Sequence, residues 1–196
     1  MERLGALLRA HADRSEAHLY LGRVAEAQGN TTEAVTQYQA ALRTNPKNAA
    51  VYDRLGLISA DAGKLDAAIA YLNKSVELDP LYNVYRFNLG VALIQQGRNA
   101  QALQELAQVL QLKPNDAPTH LYMGIASLQS NKIDEAIQHF RETLRFKPDE
   151  LQAHYGLGCA FFVQRKREEA VSEVREALRL RPNYPEAREL LQRLGN

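Results

Sequence analysis

The sequence predicts an all-α chain built as a solenoid of helix–turn–helix repeats, each 34 residues long. Three registers predict it. Prolines recur at that interval as Pro46, Pro80, Pro114, Pro148 and Pro182. Glycines keep the same interval as Gly22, Gly56, Gly90, Gly124 and Gly158, and alanines keep it as Ala34, Ala68, Ala102, Ala136 and Ala170. A chain holds a small-residue register over five periods only if each period is one structural unit stacked on the next.

The elements follow in order. Leu4, Leu7 and Leu8 resemble the second helix of a unit whose first helix is missing, so residues 1–14 read as a partial repeat or an N-terminal capping helix. The partial-repeat reading leaves an apolar edge, and with it a homo-oligomer through that edge. Five repeats follow, over 15–48, 49–82, 83–116, 117–150 and 151–184. The second shows the logic. Val51, Tyr52, Leu55, Ile58 and Ser59 are spaced three and four apart, which is one helix face. Gly63 breaks that pattern, Asp66 is the expected N-cap of the next helix, and Ala68, Ile69, Leu72 and Val76 form its face. Pro80 ends the unit, because proline cannot continue a helix and disfavours one in its predecessor.

A mid-helix glycine costs about 1 kcal/mol relative to alanine. Retaining it in every repeat implies close approach of the partner helix, with Gly22 expected against Ala34 and Gly56 against Ala68. Leu21, Leu55, Leu89, Met123 and Leu157, one residue earlier, are the expected packing knobs. The intra-repeat turn carries Gly29, Gly63, Gly97, Asn131 and Arg165. Glycine and asparagine tolerate a left-handed C-cap, so the turn at Arg165 is expected to be strained or differently shaped. Residues 185–196 read as a C-terminal capping helix. Ala187, Leu190, Leu191 and Leu194 form its inner face, and Glu186, Arg188, Glu189, Gln192 and Arg193 its polar outer side.

Bulk properties narrow the function. Lys+Arg (24) and Asp+Glu (23) nearly balance, which gives no basis for nucleic-acid binding. The apolar runs are too short to span a bilayer and the start does not read as a signal peptide, so the expected setting is cytoplasmic without direct membrane insertion. A single cysteine, Cys159, excludes an internal disulfide. His18, His120 and His154 fall in equivalent slots of different repeats, about one helix-packing distance of 10 Å apart, too far to share a metal. Ring packing between helices is their expected role. His154 and Cys159, five apart on one helix, make a poor dyad. Arg165-Lys166-Arg167, followed by Glu168-Glu169, reads as a solvated turn. No catalytic, cofactor-binding or metal-binding residue is expected, and the chain is read as no enzyme.

These residues resemble the tetratricopeptide repeat (TPR) family. Repeat one matches its pattern with Leu21-Gly22, Ala34, Tyr38, Ala41 and Pro46, and repeat four with Met123-Gly124, Ala136, Phe140, Thr143 and Pro148. The resemblance runs from Ser15 to Tyr184. The family's first-helix tryptophan is replaced by His18, Tyr52, Arg86, His120 and His154, so a looser contact is expected there. Pentatricopeptide repeats fit less well, since they favour a longer period and a more basic surface.

The resemblance implies a right-handed α-solenoid whose first helices line a concave groove, and a protein–protein interaction scaffold as the function. Family members that clamp a C-terminal carboxylate use inward Lys and Asn, and others hold a peptide backbone with an Asn ladder. This chain offers Leu, Asp, Phe or Tyr for the lysine and has only Asn88 for a ladder, so neither mode fits. The remaining expectation is a hydrophobic or amphipathic peptide held by side-chain anchors. Its expected contacts are Tyr20, Arg23, Arg54, Phe87, Asn88, Val91, Tyr122, Ile125 and Tyr155. The alternatives are a self-assembly module or the regulatory TPR arm of a larger enzyme such as a glycosyltransferase.

Overall fold

The computed structural model describes residues 14–195. The predicted N-terminal element on Leu4, Leu7 and Leu8, and the oligomer edge assigned to it, lie outside the described residues. Among the described residues there are eleven helices and no strand. They are α1 (Arg14–Ala27), α2 (Thr31–Thr44), α3 (Ala49–Asp61), α4 (Leu65–Leu78), α5 (Asn83–Gln95), α6 (Asn99–Leu112), α7 (Ala117–Gln129), α8 (Ile133–Phe146), α9 (Leu151–Val163), α10 (Arg167–Leu180) and α11 (Pro185–Gly195). None is long and apolar enough to cross a membrane. The chain divides into two compact units, Met1–Ala92 and Leu93–Asn196.

In the first unit α1 packs on α2 and α3 on α4, with α2 also touching α3. In the second, α7 packs on α8 and α9 on α10, the pairs meet through α8 with α9 and α7 with α9, and α11 packs on α10 and α9. Each second helix buries a stripe at i, i+4 and i+7, which is one helical face. In α2 it is Ala34, Tyr38 and Ala41, and in α8 it is Ala136, Phe140 and Thr143, all essentially inaccessible to solvent.

The boundaries have local causes. Asn45, Asp79, Lys113, Lys147 and Arg181 each precede a proline and leave the helical region with φ between −134° and −140°. The proline ring disfavours α geometry in its predecessor, so every second helix stops two residues short of the proline. The side chains of Asn48 and Asp116 accept hydrogen bonds from the backbone N–H groups of Val51 and Thr119, capping α3 and α7. The expected Asp66 cap is corrected. Lys64 is the cap of α4, without a side-chain bond, and Asp66 sits in the first turn, where a carboxylate suits the positive end of the helix.

The glycine register reflects the expected close approach of the partner helix, but the main contact differs from the one expected. A Cβ on Gly56 would lie 2.6 Å from Leu72 Cγ, one on Gly124 2.6 Å from Phe140 Cε1, and one on Gly158 2.5 Å from Val174 Cγ2. On Gly22 it would collide with the Tyr38 ring. The space is therefore filled chiefly by the large residue four positions beyond the alanine, while the alanine's backbone oxygen comes second, at 3.3 Å from a Cβ on Gly56 and 3.5 Å from one on Gly158. Phe140 is gripped from two sides, since a Cβ on Gly156 would also strike its ring.

All five intra-repeat turns share one hydrogen-bond pattern. Asn30 N–H donates to Ala25 O at 2.9 Å, and Lys166 N–H donates to Phe161 O at 2.9 Å. One residue earlier, Gly29 N–H donates to Glu26 O at 2.9 Å and Arg165 N–H to Phe162 O at 3.0 Å. This is the Schellman closure, which requires a left-handed residue. Gly29, Gly63 and Gly97 meet the requirement at φ 74°, 71° and 78°, Asn131 does so at 58° and Arg165 at 60°. The last turn is thus strained but not differently shaped.

Candidate functional site

In the first unit the first-helix face is polar and largely engaged with itself. Arg54 on α3 makes a bidentate pair with Glu26 on α1, Nη2 to Oε1 at 2.6 Å and Nε to Oε2 at 3.0 Å. The Tyr38 hydroxyl donates to the same carboxylate. Hydrogen bonding to Glu26 holds the Arg54 guanidinium above its ordinary pKa, and burial, reinforced by Glu26, pushes the Tyr38 phenol up. Asn88 Nδ2 donates to Asp53 Oδ1 at 2.7 Å, linking α5 to α3. Burial raises the Asp53 carboxyl, with Asn88 and Arg54 opposing. The Tyr85 phenol is pushed up to about 12, first by burial and then by the nearby Asp53 charge. Two of the expected peptide contacts, Arg54 and Asn88, are thus tied within the unit. Tyr20 is 47% exposed and Arg23 is exposed, while Phe87 and Val91 are half-buried.

The second unit presents a different face. Tyr122 and Ile125 on α7 and Tyr155 on α9 are half-buried, as are Leu128, Cys159 and Phe162. Ile125, Leu128, Tyr155, Cys159 and Phe162 rest on the core without being enclosed by it. The Tyr155 ring lies 5.0 Å from that of Tyr184, between centroids. Burial raises the Cys159 thiol, so it stays protonated at neutral pH. A cleft of about 210 Å³ opens between α9 and α11, walled by Tyr155, Cys159, Phe162 and Leu190, with Glu186 and Glu189 on its rim. A second cleft of about 450 Å³ shares Phe162, Val163 and Arg193 with it and adds Arg165, Arg167 and Leu194.

Glu186, Arg188, Glu189 and Gln192 are exposed on α11, and Arg193 on the same helix also borders a cleft. Arg193 is exposed, but its guanidinium carbon sits 5.0 Å from the centroid of the Phe162 ring. The signal was present in the register, because 34 residues before Arg193 stands Cys159, an inward position. The Glu26–Arg54 pair was missed for a related reason, since residues 28 apart meet only when two repeats are stacked.

The slot of the missing tryptophan is a hydrogen-bonded seam. His120 Nε2–H donates to Pro114 O and His154 Nε2–H to Pro148 O, each at 2.9 Å, and Arg86 Nε–H donates to Pro80 O at 3.3 Å. Each reaches back to the proline that closes the preceding repeat. The other ring nitrogen faces the second helix of its own repeat, His120 Nδ1 meeting His139 Nδ1 at 3.1 Å and His154 Nδ1 meeting Glu173 Oε2 at 2.7 Å. His18 Nδ1 lies 2.7 Å from Gln37 Oε1 in the same way. The expected looser contact is therefore replaced by directed polar contacts, and these histidines are built into the fold.

Two family models, both described as tetratricopeptide repeat, match the chain. One covers residues 2–49, 25–83 and 122–185 and the other 59–124. A search of curated proteins gives no match. Among solved structures, the chain is similar to YrrB, described as a TPR protein with an unusual peptide-binding site. The TM-score is 0.80 at 18% identity, covering 95% of this chain and 96% of that one. It is similar to residues 41 to the end of MamA from Desulfovibrio magneticus RS-1, with TM-score 0.80, 19% identity and coverage of 87% and 97%. It is also similar to pilF of Pseudomonas aeruginosa, with TM-score 0.80, 22% identity and coverage of 95% and 85%. At these identities the likeness carries the fold.

Proposed function

The chain belongs to the tetratricopeptide repeat family, and on that premise we propose that it is a non-enzymatic scaffold binding a protein segment with an apolar or amphipathic side. The observation that carries this reading is the half-buried apolar face of the second unit, Tyr122 and Ile125 on α7 with Tyr155 and Phe162 on α9. Ile125, Tyr155 and Phe162 rest on the core, and all four side chains are partly open to water. A row of such side chains is an unfavourable surface until a partner covers it, and an amphipathic helix or an extended apolar peptide suits it. The first unit contributes less to this reading, because the Glu26–Arg54 and Asp53–Asn88 pairs hold its polar groups. Phe87 and Val91 are half-buried apolar side chains of that unit.

The test is capture of partners from a native lysate on the immobilised chain, with Tyr122→Ala and Phe87→Ala variants beside it, singly and combined. Helicity is checked by circular dichroism. A protein retained by the wild type and lost from a folded Tyr122→Ala variant supports the reading. Equal recovery on all four proteins rejects it.

A further inference from the structure

We propose that the cleft of about 450 Å³ between the end of α9, the α9–α10 turn and the last turn of α11 docks an acidic linear peptide that carries an aromatic or aliphatic side chain beside its carboxylates. Three observations converge there. The cleft is lined by Arg165, Arg167 and Arg193 over an apolar floor of Phe162, Val163 and Leu194, with no carboxylate in the lining. Among the described residues none of the three arginines makes an ion pair. Val163 is 52% exposed, a large apolar side chain left open beside those cations.

The second observation is backbone strain. Arg165 holds φ 60° in a turn that three other repeats make with glycine and one with asparagine. A side chain with a Cβ is disfavoured in that conformation, and strain kept against an easy alternative is a pointer to function. The conformation places this arginine on the cleft lining.

The third is orientation. Arg193 lies over Phe162, which fixes a long flexible side chain and leaves the guanidinium beside the opening. The adjoining cleft shares the wall of Phe162, Val163 and Arg193 but adds Glu186 and Glu189. Charge along the joined clefts therefore runs from negative, at the start of α11, to positive, at the α9–α10 turn. An acidic segment is repelled at one end and attracted at the other. Its apolar residue sits on Phe162 and Leu194, and its carboxylates reach the arginines, whose planar forks match them. Arg167 also borders a third cleft on its far side, with Glu168, Arg175 and Glu176, and it makes no ion pair with either glutamate.

The probe is a fluorescein-labelled peptide of glutamates flanking one phenylalanine, titrated with the full chain and read by anisotropy. Saturable binding that weakens as salt is raised is expected. Arg167→Glu and Arg193→Glu are each expected to weaken it at least about tenfold, since charge-assisted hydrogen bonds are the stronger class. Arg175→Glu, one cleft away, is expected to leave it unchanged. Arg165→Gly is the decisive variant, because it relieves the turn: weaker binding with a higher melting temperature supports a ligand-binding role. Replacing the peptide's phenylalanine by alanine is expected to weaken binding, and replacing its glutamates by lysines to abolish it. No saturable binding, or equal binding by the arginine variants, overturns the proposal. So does equally tight binding of a short single-stranded DNA, which makes the cleft a general polyanion site. Loss of this site leaves lysate capture through Tyr122 intact, so the two proposals fail separately.

Discussion

Arg165 pays for its place in the turn. The left-handed region costs a residue with a Cβ about 1–2 kcal/mol, and Gly29, Gly63 and Gly97 avoid this in the same closure at φ 74°, 71° and 78°. Arg165→Gly is therefore expected to stabilise the chain by about 1 kcal/mol, reduced by the freedom that glycine gains in the unfolded state. A urea titration checks it, and a lower midpoint for the variant contradicts the assignment. Gly124 gives the opposite sign. Glycine to alanine inside a helix normally stabilises by about 1 kcal/mol. Here the new Cβ would lie 2.6 Å from the Phe140 ring, which a Cβ on Gly156 would strike from its other side. Gly124→Ala is expected to destabilise by about 1–3 kcal/mol through overpacking. If it stabilises, the ring moves freely and the tight-packing account is wrong. Both residues stand out in the sequence, but only their surroundings assign the sign.

Helices α7 and α8 carry a pH-dependent contact at the element scale. His120 and His139 face each other at 3.1 Å across the pair. Burial lowers the His139 pKa and the His120 charge lowers it further, while Glu135 and Glu142 oppose. With the folded pKa below the unfolded one, the unfolded chain binds the proton more readily. Stability from this group is present above the ordinary histidine range of about 6.5 and is lost as pH falls through it. Thermal melts between neutral and mildly acidic pH are expected to show a falling midpoint, and His139→Gln is expected to make that fall shallower. An unchanged slope would show that His139 does not drive it. The spacing of His120 from His18 and His154 was legible as a repeat slot. Its partner on α8 was not, because a contact between residues 19 apart depends on how two helices are rotated against each other.

For the whole molecule the unit of argument is the repeat with its neighbours. Helix α11 buries Ala187, Leu190 and Leu194 against α9 and α10. A charge at Leu190, 6% exposed, would be desolvated without a partner, and Leu190→Asp is expected to destabilise the second unit by several kcal/mol. In a repeat stack such damage spreads through adjacent contacts only. Hydrogen exchange is expected to quicken in α9, α10 and α11 and to leave α1 to α4 protected. Uniform loss of protection would show that the chain unfolds as one cooperative body. The five-fold registers of proline, glycine and alanine were enough to assign the family fold, because small residues and helix breakers act through local geometry that repeats every 34 residues. What fills the space beside each glycine, why Arg54 and Asn88 are already engaged, and how Arg193 joins Arg165 and Arg167 around Phe162 were decided only by the packed helices. Those contacts join residues about 16 to 35 positions apart, where side-chain length, rotamer and helix rotation select the partner, and no local preference carries that information.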